Sequence, residues 1–159
     1  MEENKQVSVF DVAKYILGKT GPITAMKLQK LVYYSQAWSL VWDEAKLFNA
    51  RIEAWSNGAV IRELFDAHRG LFTVSEETFP YADEKHLSDT QKDTIDAVLS
   101  GYGELTAQQL SDLNHEERPW IEARGSLPPL EKCTNEITVD SMMIYYSGIM
   151  ADAQSRASE

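Results

Sequence analysis

The stretch from residue 26 to residue 42, MKLQKLVYYSQAWSLVW, constrains this chain more than any other part of it. Leu28, Leu31, Val32, Ser35, Trp38 and Trp42 recur at i, i+3, i+4 and i+7, the spacing of one buried helical face. Thr24 stands where an N-cap is needed, and Ile23 and Leu28 occupy the two positions of a hydrophobic staple. Pro22 falls just outside, where it interrupts no hydrogen bond of the helix. The pattern predicts a central helix over residues 25–42, and a fold that must supply partners for two tryptophans.

The flanking sequence supplies those partners as further helices. Ser8 caps a first helix with Phe10, Ala13, Ile16 and Leu17 inward, ended between Gly18 and Gly21. Residues 47–55 offer β-branched and aromatic side chains in rough alternation. They predict a short strand around Ile52, Ala54 and Trp55, paired with Leu47-Phe48. Ser56-Asn57-Gly58 breaks it, and residues 59–69 resume helical spacing. Residues 71–87 show no period and read as an extended loop, the segment expected to move most. Ser88 or Asp89, Thr106 with Gln109, Pro119, and Thr138 then open four more helices. The expectation is a mainly α, single compact domain of about six or seven helices with a small β hairpin near residues 47–55. It has a polar leader at 1–7, the domain proper at 8–150 and a frayed tail at 151–159.

A chain of 159 residues can bury a core without disulfides or metal, and the single Cys133 fits a reducing compartment. No apolar run reaches the ~18 residues of a membrane span, and the polar start lacks the order of a signal peptide, so a cytoplasmic location is expected. The net charge of −10 is concentrated. Residues 76–117 hold eleven acids against Lys85 and Lys92, whereas residues 1–75 are near neutral. Such a segment repels phosphate and attracts basic surfaces, unless it serves only as a solvated face; direct nucleic-acid binding is not expected of it.

Catalytic signatures are scarce. His68, His86 and His115 have no metal-ligand spacing, and neither a phosphate-binding glycine loop nor a nucleophile elbow is present. Cys133 reads as a plain thiol. His115, beside Glu116 and near Asp112 and Trp120, admits two readings: acid–base work, or a ring whose nitrogens satisfy carbonyls at a helix corner. The second is preferred, because no nucleophile accompanies it. Lys27 and Lys30 suit an anion or plain solvated surface, and Tyr33-Tyr34 and Tyr145-Tyr146 suit core positions with hydroxyls at the surface. No enzyme activity, metal or cofactor is expected.

Residues 26–38, then Leu47-Phe48, Ile52-Glu53-Ala54-Trp55 and Gly58-Ala59-Val60, resemble the Panacea domain of SocA-like and GepA-like phage-associated proteins. Leu110-Ser111, His115-Glu116 and residues 119–124 resemble its second signature block, and Ile137 with residues 143–146 its closing helix. The chain departs from that pattern twice: Asn57-Gly58-Ala59 stands for a frequent Tyr-Gly-Pro, and Asn114-His115 for a frequent Thr-His. The resemblance implies an antitoxin that neutralises a toxin encoded in the same operon by direct protein contact; some relatives instead deliver the toxin to a protease as adaptors. A DNA-binding autoregulator of a toxin–antitoxin or prophage operon and a small hydrolase using His115 stand as alternatives. Lys27, Lys30, Tyr33, Tyr34 and Gln36 are the expected partner-binding rim of the central helix. Leu28, Leu31, Trp38, Trp55, Gly58, His115, Pro119 and Trp120 are expected to be structural signature residues. The toxin's identity and the oligomeric state are left open.

Overall fold

The computed structural model describes residues 7–157; the expected leader, apart from Val7, and the last two residues of the tail lie outside that range. In chain order the elements are α1 (Val9–Thr20), β1 (Ile23–Thr24), α2 (Ala25–Trp42), β2 (Ile52–Trp55), β3 (Gly58–Ile61), α3 (Arg62–His68) and β4 (Thr73–Val74). Two 3-10 turns (Glu76–Thr78 and Glu84–His86) follow. The chain ends with α4 (Asp89–Tyr102), α5 (Ala107–Glu116), α6 (Arg118–Arg124) and α7 (Val139–Ala157). Among the described residues, seven helices and a small hairpin make the fold mainly α and a single compact domain, as the sequence predicts.

The helix starts follow from their caps. Ser8, Ser88 and Thr106 each form a reciprocal capping box, with Asp11, Gln91 and Gln109, and the Thr24 hydroxyl accepts from the Lys27 N–H. Around α2 pack α1, α4, α5, α7 and β3. Every residue from 28 to 40 is buried, so α2 is enclosed on all sides rather than presenting one inner face and an outer rim. The periodicity marked Ser35 but not Ser39 on the inner face; both are buried, donating to the carbonyls of Leu31 and Ala45 at 2.8 Å. Trp42, expected inside, is 41% exposed and stacks on Trp38 at 5.0 Å.

The hairpin sits one strand later than expected. β2 pairs antiparallel with β3, from Ile52↔Ile61 to Trp55↔Gly58, across the two-residue turn Ser56-Asn57. Leu47 and Phe48 bury their side chains without joining the sheet; their N–H groups go to the Gln36 side chain at 2.8 and 3.3 Å. The expected loop at 71–87 is instead pinned. β4 pairs with β1, Phe79, Ala82 and Leu87 enter the core, and the Asp11 carboxylate accepts from the Asp83 N–H at 2.9 Å. Burial alone would raise the Asp11 pKa, but the N–H groups of Asp83 and Ser8 and the ring of His86 hold it below the usual carboxylate value. α7 continues as exposed helix through Ala157, past the expected start of the tail. No described helix is long and apolar enough to cross a membrane.

Candidate functional site

Two edges of a two-stranded hairpin carry backbone groups that its own ladder cannot satisfy. Here almost every neighbouring element contributes to satisfying them. On the β3 edge, the Gln29 side chain takes both groups of Ile61: its Oε1 accepts from the N–H at 2.8 Å and its Nε2 donates to the carbonyl at 3.3 Å. Lys30 Nζ donates to the Ala59 carbonyl at 3.1 Å, and Asn114 Oδ1 accepts from the Ala59 N–H at 2.8 Å. On the β2 edge, the Ala54 N–H donates to the Asn135 carbonyl at 2.9 Å and the Ile52 carbonyl accepts from Ile137 at 2.8 Å.

The turn is held just as fully. Four successive carbonyls, those of Ala54, Trp55, Ser56 and Asn57, accept from Arg124 Nη1, Trp120 Nε1, His115 Nε2 and Ser111 Oγ at 2.9, 2.7, 2.7 and 2.6 Å. The donors descend α6 and α5 at spacings of four or five residues, so one face of the helix pair reads the hairpin backbone residue by residue. His115 therefore spends Nε2 on a carbonyl, as the preferred reading has it, with its ring 4.4 Å from that of Trp120; Asp112, one of the two acids near it in sequence, accepts from Gln108. Arg124, 3% exposed, has no acidic partner among the described residues; it also donates through Nη2 to the carbonyls of Pro128, Pro129 and Glu131. That fan of bonds fixes the loop at 126–131 beside the hairpin tip.

Behind the hairpin lies a buried polar network. Asn114 Nδ2 donates to Tyr34 Oη at 2.7 Å, and the Tyr34 and Tyr146 hydroxyls donate to Glu117 Oε1 at 2.7 and 2.8 Å. The Tyr33 and Tyr146 hydroxyls lie 3.0 Å apart, and Tyr102 stacks on Tyr34 at 4.2 Å while accepting from Trp38 Nε1. Burial pushes Glu117 up to about 7, against the opposing pull of the Tyr34, Tyr146 and Asn114 hydrogen bonds, and burial pulls Lys30 down to about 8.

These shifts have opposite stability slopes. Glu117 holds its proton more tightly when folded, so its contribution is full below the ordinary 4.5 and is lost as pH rises through about 7. Lys30 gives its proton up more readily when folded, so stability is lost as pH falls from the ordinary 10.5 through about 8. Each is worth about 3 kcal/mol, which puts a trough in the stability profile between them. His68, lowered by burial, works against Glu117 at the acid end, so the test is a difference. Urea denaturation across this range should show Glu117→Gln gaining on wild type as pH rises; parallel curves contradict the assignment.

The expected rim residues are thus mostly internal. Lys30, Tyr33, Tyr34 and Gln36 are each 2% exposed or less, which corrects their placement on an outer surface of α2; Lys27 alone is half-buried, and its Nζ donates to the Gly103 carbonyl at 2.7 Å. They bury because each polar end finds a partner, as Gln36 Nε2 does on the Phe48 carbonyl at 3.0 Å. Leu28 and Leu31 are fully buried, Trp38 nearly so, and Pro119 is buried in the first turn of α6. Gln29, Glu117 and Arg124 were not singled out from the sequence, and Asn114 only as a departure from the family pattern. Isolated polar residues on amphipathic helices look like solvent-facing ones; the i, i+4 spacing of Trp120 and Arg124 is the one signal that could have put both on one face.

The outward side of this seat is apolar. Trp55, whose Nε1 donates to Glu53 Oε1 at 2.8 Å, lines two depressions, of about 170 and 350 Å³. The smaller is flanked by Leu130, 93% exposed; the larger by Phe65, Leu71 and Phe72, the last 81% exposed. Among the described residues no cluster of three His, Cys, Asp or Glu side chains is placed to hold a metal ion.

Central helix, polar network and α5–α6 together define a helical domain organised to seat one β hairpin. The chain belongs to the family described as antitoxin SocA-like, Panacea domain, whose model matches residues 28–121. The match runs from α2 into α6 and covers Gln29, Lys30, Ser111, Asn114, His115 and Trp120 of the hairpin seat, while Arg124, Asn135 and Ile137 lie beyond it. No curated protein and no solved structure matches the chain.

The two departures from the family pattern noted above meet in space, since the Ala59 N–H is bound by Asn114. A proline at 59 has no N–H to satisfy, and its outward edge position in a strand tolerates one. Asn114→Thr alone is expected to cost about 2 kcal/mol by orphaning the Ala59 N–H. Combining it with Ala59→Pro should recover part of that loss, and strict additivity in thermal melts would show the pair uncoupled.

Proposed function

We propose that this chain neutralises a co-encoded toxin by direct protein–protein binding, and that the hairpin face, from Leu130 across Trp55 to Phe72, is the contact surface. The observation that carries the reading is the pairing of a backbone held at every edge with large apolar side chains left in solvent. A rigid element bearing exposed aromatic and aliphatic side chains binds with little ordering cost, which is how interface anchors gain affinity. Lys30, Tyr33, Tyr34 and Gln36 support this surface from beneath. The acidic segment 76–117 attracts a basic toxin at long range and raises the encounter rate. The working unit spans residues 8–150, because α1 and α7 pack on α2 outside the matched stretch.

Co-expression with the product of the adjacent reading frame tests the proposal. Growth should be rescued and the two proteins should co-purify. Rescue without co-purification would point to delivery of the toxin to a protease, and the absence of both rescue and co-purification would overturn the reading.

A further inference from the structure

We propose that the larger depression is a pocket for an acidic-apolar side-chain pair of the partner, an aromatic or aliphatic residue beside a glutamate or aspartate, with Lys30 receiving the carboxylate. This rests on the hairpin face being the contact surface. At about 350 Å³ the depression lies at the lower end of the about 300–1,000 Å³ of ligand pockets, enough for one large side chain and a carboxylate. Its outer walls are apolar: Met26, Val60, Phe65 and Phe72.

Its polar side chains are Thr24, Gln29, Asn57, His68 and Lys30; Thr24 is spent capping α2, Gln29 and His68 are spent on each other and on Ile61, and Lys30 is the one cationic group. Gln29 bonds both backbone groups of Ile61 and donates to His68 Nε2 at 3.0 Å, so that nitrogen is the acceptor. Lys30 differs. Its Nζ has three donors, and the Ala59 carbonyl is its one acceptor among the described residues. The buried acids are committed elsewhere, Glu53 to Arg51 and Trp55, and Glu117 to Tyr34 and Tyr146. A cation 1% exposed, without a counter-charge among the described residues and beside an apolar depression, is matched by a carboxylate carried in on an apolar side chain. The acidic segment elsewhere does not oppose this, because long-range attraction acts on the partner's net charge and the pocket on one residue.

The test uses the full chain, labelled with 15N, and two capped dipeptides, N-acetyl-phenylalanyl-glutamate amide and its glutamine counterpart. The glutamate peptide should give saturable shifts of the Lys30, Ala59, Val60 and His68 amides and bind about tenfold tighter than the glutamine peptide. Lys30→Met should erase that preference. Should that variant fail to fold, the wild type at about pH 9.5 serves instead. There Lys30, pulled down to about 8, has lost its charge; His68, lowered from 6.5, is neutral at both pH 7 and pH 9.5, so the preference should vanish. Equal binding of the two peptides, no saturable shift, or a preference unchanged at high pH overturns the assignment. Toxin co-purification without peptide discrimination overturns the pocket and leaves the hairpin face standing. Discrimination without toxin binding does the reverse.

Discussion

Gly58→Ala is expected to destabilise the protein by on the order of 4 kcal/mol, a fall in Tm of ~10 °C at this chain length. Gly58 has φ +115°, a conformation that L residues adopt only under strain, and its missing side chain is filled by others. A Cβ there would stand 2.7 Å from Lys30 Cε and 2.9 Å from Asn114 Oδ1. Neither neighbour is free to swing away, since Lys30 and Asn114 bond the two backbone groups of Ala59 and are buried. The substitution should therefore release the β3 edge together with the Tyr34 and Glu117 network behind it. Gly148→Ala is the control: it lies in α7 with open space around it, and should be neutral or stabilising by about 0.5–1 kcal/mol. Differential scanning calorimetry of both variants checks the pair, and a Gly58→Ala melt within 2 °C of wild type would contradict the account.

Leu130→Asp and Phe72→Asp, together, are expected to weaken toxin binding about 100-fold or more while leaving Tm nearly unchanged. Both side chains lie almost wholly in solvent, so the folded state loses little when they change. Their loops stay in place, because Arg124 bonds the carbonyls around Leu130 and the Phe72 carbonyl accepts from the Ala25 N–H at 2.9 Å. A charge placed in an apolar contact must be desolvated on binding, and the added acid also faces the acidic-apolar pair assigned to the pocket. Ile144→Asp, on the exposed side of α7, is the matched control and should leave affinity as it was. Calorimetric titration against the product of the adjacent reading frame separates the two.

The architecture was legible where local signals act alone. Ser8, Thr24, Ser88 and Thr106 start their helices because a cap is decided by neighbours three residues away. The hairpin position was not, because β3 is buried on both faces and Ala59-Val60-Ile61 therefore shows no alternation. Followed by Leu64 and Phe65, the run imitates a helix, and only pairing with β2 distinguishes it. The burial of the central-helix rim was misread for a related reason. Lys30, Tyr34 and Gln36 are polar, and polarity at helical spacing ordinarily means solvent; here each meets a backbone or carboxylate group supplied from distant sequence. The fourfold capture of carbonyls by Ser111, His115, Trp120 and Arg124 also depends on a hairpin some 55 to 70 residues earlier in the chain.

The most direct test of the hairpin face is hydrogen–deuterium exchange on the complex with the co-purified toxin, compared with the free chain. Backbone amides around residues 55–57, 70–73 and 127–134 should gain protection on binding, while those of α4 and the outer side of α7 exchange as before. Protection confined to α4 and α5, with the hairpin tip and the Leu130 loop unchanged, would make the acidic face the binding surface and contradict the account.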